Sequence, residues 1–211
     1  MNAPLFIFGT GGHARDIADI VTILDRRPVF VTRSLDECER WSDADEIVLE
    51  ENVVSRSGAE FALGIGDNHT RARIAAIYAS LCFPTLIHPD TSFGRGQRAM
   101  LEASTGSVVF AGARFTGGIS TGAFCTFNLN VTVSHDCEIA DFVNLSPGAN
   151  IAGNVRIGRA AWVGLGAVVN QGSDTHKVTI GANTIIGSGA VVLGDCAANS
   201  VYAGVPARKI R

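Results

Sequence analysis

Aromatic and charged residues are both scarce in this chain, and neither sign of charge is concentrated in a run. Only 7% of the 211 residues are aromatic and 18% are charged, and the net charge is −3 at pH 7. Because 46% of the residues are hydrophobic, we expect a globular chain rather than a disordered one. A weak and mixed charge does not favour nucleic acid or a membrane surface as a partner.

Signals for membranes and for secretion are also missing. No apolar run approaches the length of a membrane span, and the short apolar start at residues 1–9 carries no basic residues. The five cysteines form no CxxC pair. We therefore expect buried free thiols in a cytoplasmic protein, with no metal site and no membrane insertion.

Strand and helix patterns alternate in the first part of the chain. Short apolar runs predict three buried strands, at residues 5–8, 29–31 and 61–65. Apolar residues at helical spacing predict two helices, one at about residues 14–25 and one that contains Ile74, Ile77, Tyr78 and Leu81. Residues 34–60 give no readable pattern. The alternation is typical of a small parallel α/β domain, which we place at residues 1–84.

The rest of the chain carries a six-residue repeat, in which an aliphatic residue is followed by a small residue and, three positions later, by another. The aliphatic positions in register are Val109, Phe127, Val133, Ile139, Leu145, Ile151, Ile157, Val163, Ile180 and Ile186, with Phe115 and Thr121 fitting more loosely. This period favours a parallel β-helix, in which each hexad forms one flat face and one corner. Small residues permit tight corners, which explains the 24 glycines. The alternative is accidental periodicity in a β-sandwich.

The chain resembles the hexapeptide-repeat acyltransferases, both in these hexads and in short motifs. The motifs are Gly9-Thr10-Gly11-Gly12-His13-Ala14, Ile65-Gly66-Asp67-Asn68, His88-Pro89, His135-Asp136 and Gly204-Val205-Pro206-Ala207. They are similar to one branch, the bacterial nucleotide-aminosugar N-acetyltransferases and sialic-acid O-acetyltransferases. The resemblance implies a Rossmann-like domain at residues 1–84 and a left-handed β-helix, three hexads per coil, at residues 85–211.

The same resemblance implies a function. An acetyl group would pass from acetyl-CoA to the amino group of a nucleotide-linked aminosugar in bacterial surface glycan biosynthesis. Two alternatives stay open: O-acetylation of a sialic-acid-like sugar, and a non-catalytic trimeric β-helix scaffold with a sugar-binding domain. Family members bury the flat faces of the β-helix against two neighbours, so a homotrimer with active sites between subunits is expected.

His135 and Asp136 are the candidate catalytic residues. His135 lies two residues after the interior position Val133, so it belongs to a corner and can point into a groove between subunits. An imidazole titrates near neutral pH and can serve as the general base, while Asp136 would orient it. Gly153 is eighteen residues further on, one full coil, and its N–H is expected to face the thioester oxygen. By resemblance, acetyl-CoA contacts Asn144, Ser146, Gly153, Leu165 and Ser188.

Two turns of the α/β domain are candidates for binding the sugar acceptor. In the first turn, Gly9, Thr10, Gly11, Gly12 and His13 follow a strand and open a helix, which suits a phosphate or a nucleotide-linked sugar. The alternative is a glycine-rich turn without a ligand. In the second turn, Gly66, Asp67 and Asn68 end a neighbouring strand. Asp67 or Asn68 could equally well be a helix N-cap.

Two segments depart from the family pattern. Relatives usually have acidic residues directly after the second strand, where they meet the nucleotide, but this chain reads Val31-Thr32-Arg33-Ser34. Residues 171–177 fall out of the hexad register, and the role of this segment is left open.

The remaining candidates are expected to be structural or solvated. We expect His69 and His176 at the surface, His88 in a structural role, and Cys125 and Cys137 packed in small-residue positions. The basic C-terminus (Arg208, Lys209 and Arg211) is either a solvated tail or a neighbour of the CoA phosphates.

Overall fold

Strands and helices alternate in the first part of the chain, in a computed structural model that describes residues 3–42 and 45–211. The elements are β1 (Pro4–Phe8), α1 (Gly12–Ile23), β2 (Arg27–Thr32), α2 (Leu35–Arg40), β3 (Glu46–Leu49), a 3₁₀ turn (Glu50–Asn52), β4 (Phe61–Leu63) and α3 (Asn68–Ile77). All strands are parallel, in the order β3-β2-β1-β4. This sheet confirms the predicted α/β fold.

The two elements that the sequence pattern did not reveal, α2 and β3, lie in the segment that gave no readable pattern. None of the six residues of α2 is buried, so no apolar periodicity marks the helix. β3 is an edge strand with a half-buried pattern. Amphipathic periodicity appears only where one face of an element packs on a core.

The rest of the chain coils into a β-helix with three sheet faces. Face 1 contains β5 (Leu86–Ile87), β7 (Val108–Val109), β10 (Thr126–Phe127), β13 (Asn144–Leu145), β16 (Trp162–Val163), β19 (Ile185–Ile186), β21 (Val201–Ala203) and β22 (Arg208–Lys209). Face 2 contains β6 (Ser92–Phe93), β8 (Arg114–Phe115), β11 (Thr132–Val133), β14 (Asn150–Ile151), β17 (Val168–Val169) and β20 (Val191–Val192). Face 3 contains β9 (Ser120–Thr121), β12 (Glu138–Ile139), β15 (Val155–Ile157) and β18 (Val178–Ile180).

The predicted interior positions do fill the interior of the coils. Nearly all of the hexad aliphatics are buried in one continuous core, and Thr121 is half-buried. In the first coil a short helix, α4 (Gln97–Glu102), follows β6, and face 3 begins only one coil later. Its residue Leu101 is fully buried in the same core, so α4 covers the N-terminal end of the coils.

The pairing register locates the irregular segment at residues 171–177. Leu145 pairs with Val163, eighteen positions on, but Val163 pairs with Ile186, twenty-three positions on. Five residues are therefore inserted after β17, at the corner between faces 2 and 3. The chain ends in an antiparallel hairpin of β21 and β22, so Arg208 and Lys209 belong to a strand and not to an unstructured tail.

The α/β domain packs against face 1. Ala14 and Ile17 of α1 share a core with the outward side chains of Leu86 and Val108. The predicted boundary at residue 84 falls between the strands of the two sheets, and the division into separate domains stays a prediction. Residues from both halves of the chain belong to one buried cluster at this contact.

A buried arginine links the two halves. Arg71 of α3 is 2% exposed, and burial lowers its pKa to about 10. Its five N–H groups donate to the carbonyls of Ile65, Gly66, Phe124 and Phe142 and to Asn68 Oδ1, at 2.8 to 3.1 Å. Full pairing of the donors offsets much of the cost of burying the guanidinium.

The cysteines correct one expectation. Cys125, Cys137 and Cys196 are buried as expected, and burial raises the pKa of the Cys125 thiol to about 12. Cys82 is exposed and Cys38 is half-buried, so the expectation that all five are buried is wrong. The reason is position: Cys125 and Cys137 fill small-residue slots of the coils, and Cys196 pairs with Ile180 at an interior position. No helix among the described residues has the length and apolar character of a membrane span.

Candidate active site

A histidine and an aspartate lie side by side on an outer corner of the β-helix. His135 and Asp136 follow β11 where face 2 turns into face 3, and Asp136 has a left-handed φ of 58°. His135 Nδ1 lies 2.8 Å from Asp136 Oδ2, and the two side chains are 49% and 57% exposed. Consecutive side chains of a flat strand point to opposite sides, so this turn is what brings them together.

The contact decides how the imidazole can act. A carboxylate oxygen accepts a hydrogen bond, so the shared proton lies on Nδ1 and the Nε2 lone pair of His135 stays free. The same arrangement orients the histidine of a catalytic triad. His135 can therefore take a proton from an attacking amine or hydroxyl group.

Gly153 stacks directly on the His135 ring, one coil above it. A Cβ atom at position 153 would lie 2.5 Å from both Cε1 and Nε2 of His135. The stack is aligned by a hydrogen bond of 2.9 Å from the Asn154 N–H to the His135 carbonyl. Within residues 3–42 and 45–211 the Gly153 N–H donates to no acceptor. Beside the base there is thus an N–H group available to a developing oxyanion.

The other residues predicted to contact acetyl-CoA lie elsewhere on the chain. Leu165 and Ser188 are exposed at the corner between faces 1 and 2, one edge of face 2, whereas His135 is at its other edge. Asn144 and Ser146 are buried at 4% and 2% exposure, and Asn144 Nδ2 donates to Ser146 Oγ at 3.0 Å. A single chain therefore does not bring these residues to one place.

The glycine-rich turn leads from β1 into α1. Gly9 has a φ of 101°, which strains any side chain, and its close neighbours Ile65 and Gly64 leave no room for one. Gly11 is the N-cap of α1 without a side-chain cap, and Gly11 and Gly12 are exposed. The first N–H groups of the helix are therefore free of a side-chain acceptor.

His13 turns from this loop toward the β-helix. Its ring centroid lies 5.7 Å from that of Phe110. Burial, followed by the nearby Arg71 charge, lowers the pKa of His13 to about 4, so the imidazole is neutral at physiological pH. Its Nε2 atom is buried and has no hydrogen-bond partner among the described residues. An unpaired buried nitrogen is costly, and a ligand group at this point would remove the cost.

An open cleft of about 260 Å³ lies at the carboxyl ends of β1, β2 and β4. Its lining includes Gly9, Thr32, Arg33, Glu50 and Arg73. Arg33 Nε lies 2.9 Å from the Glu50 carboxylate. Open parallel sheets bind their ligands at this edge.

The sequence pattern did not reveal a carboxylate that bonds to Thr32 in the lining of this cleft. Glu37, in the first turn of α2, accepts hydrogen bonds from the hydroxyls of Thr10 and Thr32, and these bonds lower its pKa. A carboxylate from the next helix thus reaches the end of β2. One signal was present: Ser34 caps α2 through the Glu37 N–H, and Ser-x-x-Glu is the spacing of a capping box.

The second predicted turn has mainly structural contacts in this chain. Asp67 is the N-cap of α3, with Oδ1 accepting from the Thr70 N–H at 2.7 Å. Asn68 is buried, and its Nδ2 donates to carbonyls of the β-helix at 3.0 and 3.1 Å. Asp67 and Asn68 also line a pocket of about 200 Å³ whose other wall is Trp162 and Ile185 of face 1. Asp67 therefore caps α3, and binding of the sugar acceptor at this turn stays a prediction.

The histidines outside these turns have peripheral roles. His69 and His176 are exposed, as expected, and His176 Nε2 lies 3.2 Å from Asp195 Oδ2. His88 Nδ1 accepts from the Asp90 N–H at 3.0 Å, which fits a structural role at the start of the coils.

Comparison with known proteins bears on both halves of the chain. Residues 4–78 match the family model described as the PglD N-terminal domain. The chain is 36% identical over 107 residues to GDP-perosamine N-acetyltransferase of Escherichia coli, covering 51% of this chain and 48% of that protein. It is 30% identical over 138 residues to galactoside O-acetyltransferase of the same species, covering 55% and 62%. The chain thus spans about half the length of the curated relatives that it matches.

Solved structures match over the whole chain. The acetyltransferase domain of PglB from Neisseria gonorrhoeae, in complex with acetyl coenzyme A, is 28% identical with a TM-score of 0.86, and the match covers 100% of both chains. The chain is thus similar in fold, over its whole length, to a solved acetyltransferase domain. PerB from Caulobacter crescentus, in complex with CoA and GDP-perosamine, is 25% identical with a TM-score of 0.83, covering 99% of this chain and 98% of that one. These matches confirm the left-handed β-helix.

Most of the candidate residues fall into three places. The first is the corner with His135, Asp136 and Gly153. The second is the opposite edge of face 2, with Leu165 and Ser188. The third is the carboxyl edge of the α/β sheet. One chain holds these three places apart.

Proposed function

We propose that this chain transfers an acetyl group from acetyl-CoA to the amino group of a nucleotide-linked aminosugar. The observation that carries the proposal is the His135–Asp136 pair stacked on Gly153, on a coil of a hexapeptide-repeat acyltransferase. Relatives named as a GDP-perosamine N-acetyltransferase and as an acetyl-CoA-bound acetyltransferase domain support the choice of donor and acceptor.

The chemistry follows from the free lone pair of His135 Nε2. The acceptor amine attacks the thioester carbonyl carbon, a C–N bond forms, and the carbonyl oxygen becomes an oxyanion that the Gly153 N–H stabilises. Nε2 takes the proton that the nitrogen sheds, and Asp136 stabilises the imidazolium. When the C–S bond breaks, the same proton returns to the thiolate, which leaves as CoA.

The nucleotide half of the acceptor is assigned to the cleft of the α/β domain. Phosphate groups would meet the N–H groups of Thr10, Gly11 and Gly12 at the start of α1, and the buried Nε2 of His13 would pair with the sugar or its phosphate. Each oxygen of Glu37 accepts one hydroxyl hydrogen bond and keeps a further lone pair. A carboxylate at this position suits the vicinal hydroxyls of a ribose.

Removing the charge of Glu37 is expected to weaken acceptor binding specifically. Glu37→Gln should raise KM for the nucleotide sugar about tenfold, because a hydrogen bond to a charged group contributes roughly 1.5 kcal/mol or more. KM for acetyl-CoA should not change, since the donor lies on the β-helix. Steady-state kinetics with each substrate varied in turn measures both constants. An unchanged KM for the nucleotide sugar would remove Glu37 from the acceptor site.

The active unit is proposed to be a homotrimer built on face 2. Face 1 is partly covered by the α/β domain, and face 3 carries the ion pair Arg156–Glu138 at 2.7 Å. Face 2 and its two corners instead expose apolar side chains, namely Leu129, Leu165, Val168 and Leu193. Exposed apolar patches mark protein contacts. Packing through face 2 would bring the His135 corner of one subunit toward Leu165 and Ser188 of the next.

Light scattering of the wild-type chain at micromolar concentration is expected to give three chain masses. Val168→Arg should shift the mass toward one chain, because it places a charge in the centre of the apolar contact. Arg156→Gln on face 3 is the matched control and should remain trimeric. A monomeric wild-type chain would contradict the shared site.

The decisive experiment is a panel of acceptors with acetyl-CoA, with thiol release measured and the products identified by mass spectrometry. Nucleotide-linked aminosugars should react, and the product should carry one additional acetyl group on nitrogen. Sialic-acid-like and galactoside acceptors test the hydroxyl alternative, and no turnover with any acceptor would favour the scaffold. Since all five cysteines are free, a cytoplasmic location is retained as part of the proposal.

A further inference from the structure

The five-residue insertion rises from the corner that carries the catalytic pair. Residues 117, 135 and 153 stack in one column at this corner, and residue 171, where the irregular segment begins, is the next position in the column. The insertion therefore lies directly above Gly153, on the C-terminal side of the corner.

Both ends of the inserted loop are fixed to the coil that carries Gly153. The Gly172 N–H donates to the Gly153 carbonyl at 3.0 Å, and the Val178 N–H donates to the Asn154 carbonyl at 3.1 Å. Between these anchors, Ser173 and His176 exchange two backbone hydrogen bonds of 2.8 and 3.2 Å, which close the loop on itself. The loop is held in place by the same peptide groups that align the catalytic stack.

Lys177, the last residue of the loop, reaches back past this coil to the catalytic pair. Its ammonium group donates to the backbone carbonyl of Asp136 and lies 3.2 Å from Glu138 Oε1. No backbone N–H of the described residues donates to that carbonyl, so Lys177 supplies its hydrogen bond. The Lys177 side chain is only 25% exposed, which indicates that it packs along the corner.

We propose that Lys177 is a positioning residue that holds the Asp136 peptide, and with it the carboxylate that orients His135. The proposal rests on the proposed acetyl transfer. Asp136 has a left-handed φ at this corner, and in this conformation of the turn its carboxylate lies 2.8 Å from His135 Nδ1. The Lys177 ammonium group restrains the Asp136 peptide through its carbonyl oxygen and does not contact the imidazole. The out-of-register segment is thus part of the catalytic apparatus.

Three variants test this in the full-length chain. Lys177→Met keeps the aliphatic stem and removes the ammonium, and should lower kcat about three- to tenfold, the loss of one hydrogen bond, with both KM values nearly unchanged. Lys177→Arg keeps the cation and should recover most of kcat. Glu138→Gln removes the ion pair and leaves the carbonyl contact, so kcat should stay near wild type. Wild-type kcat in Lys177→Met, or an equal loss in Glu138→Gln, would overturn the proposal.

A spectroscopic readout separates this inference from the proposed reaction. In ¹⁵N NMR the neutral His135 imidazole of the wild-type chain should be protonated at Nδ1, and Lys177→Met should shift it toward a mixture of tautomers. An identical tautomer in the two proteins would refute the positioning role, whatever reaction the enzyme performs. Failure of every acceptor in the panel, with the tautomer shift present, would count against the proposed reaction alone.

Discussion

His135→Ala is expected to lower kcat by on the order of a hundredfold or more, while acetyl-CoA binds almost as in the wild-type protein. Loss of a general base typically costs this much, because the attacking amine must then lose its proton to water. The side chain is about half exposed, and among the described residues its imidazole bonds to Asp136 alone, so the coil should fold without it. Steady-state kinetics gives kcat, and calorimetric titration gives the affinity for acetyl-CoA.

His135→Gln is the companion variant, since it keeps a polar side chain of similar reach without a titrating nitrogen. It should be as slow as His135→Ala. Wild-type turnover in either variant, with the oligomer intact by light scattering, would show that His135 is not the base. A loss confined to acetyl-CoA affinity would instead make it a binding residue.

Gly153→Ala is expected to lower kcat by roughly tenfold to a hundredfold and to raise KM for acetyl-CoA. The new Cβ atom would stand 2.5 Å from two atoms of the His135 ring, so the exposed ring must swing away from Asp136. Displacing a catalytic group by about 1 Å can cost on the order of a hundredfold. The φ angle at position 153 is not left-handed, so alanine should not strain the backbone, and thermal unfolding should change little.

Gly117→Ala is the matched control for this substitution. Gly117 lies one coil below His135 in the same column, and a Cβ atom there would have no neighbour within 4 Å. The control should keep wild-type kinetics. If Gly153→Ala were also as active as the wild type, the stacking of base and glycine would have no role in catalysis.

The buried Arg71 shows why the contact between the α/β domain and the β-helix could not be predicted from the sequence. It lies in α3, and an arginine in a helix is normally a solvated residue. Its acceptors, Ile65, Gly66, Asn68, Phe124 and Phe142, come from three separate segments. No local pattern predicts such a set, because each carbonyl is available only after the α/β domain has docked on the β-helix.

Glu37 and Lys177 illustrate the same limit at the site. Glu37 lies in a helix without a buried residue, and its bonds to Thr10 and Thr32 form across the ends of two strands. Lys177 reaches Asp136, which is 41 positions away. Both residues lie in or near segments where the sequence departs from the family pattern. The departures did not predict that Glu37 would contact Thr10 and Thr32 or that Lys177 would contact Asp136.

The sequence by itself determined the β-helix, its interior positions and the stacking of Gly153 over His135. A six-residue period repeats one local environment many times, and the interval of one coil then fixes which residues share a corner. Tertiary structure alone decided that Asn144 and Ser146 are buried, that Glu37 bonds to Thr10 and Thr32, and that Lys177 reaches the Asp136 carbonyl. Those properties depend on what packs against the outer side of each coil. The six-residue period describes the inward-facing side chains and does not predict the contacts of the outward-facing ones.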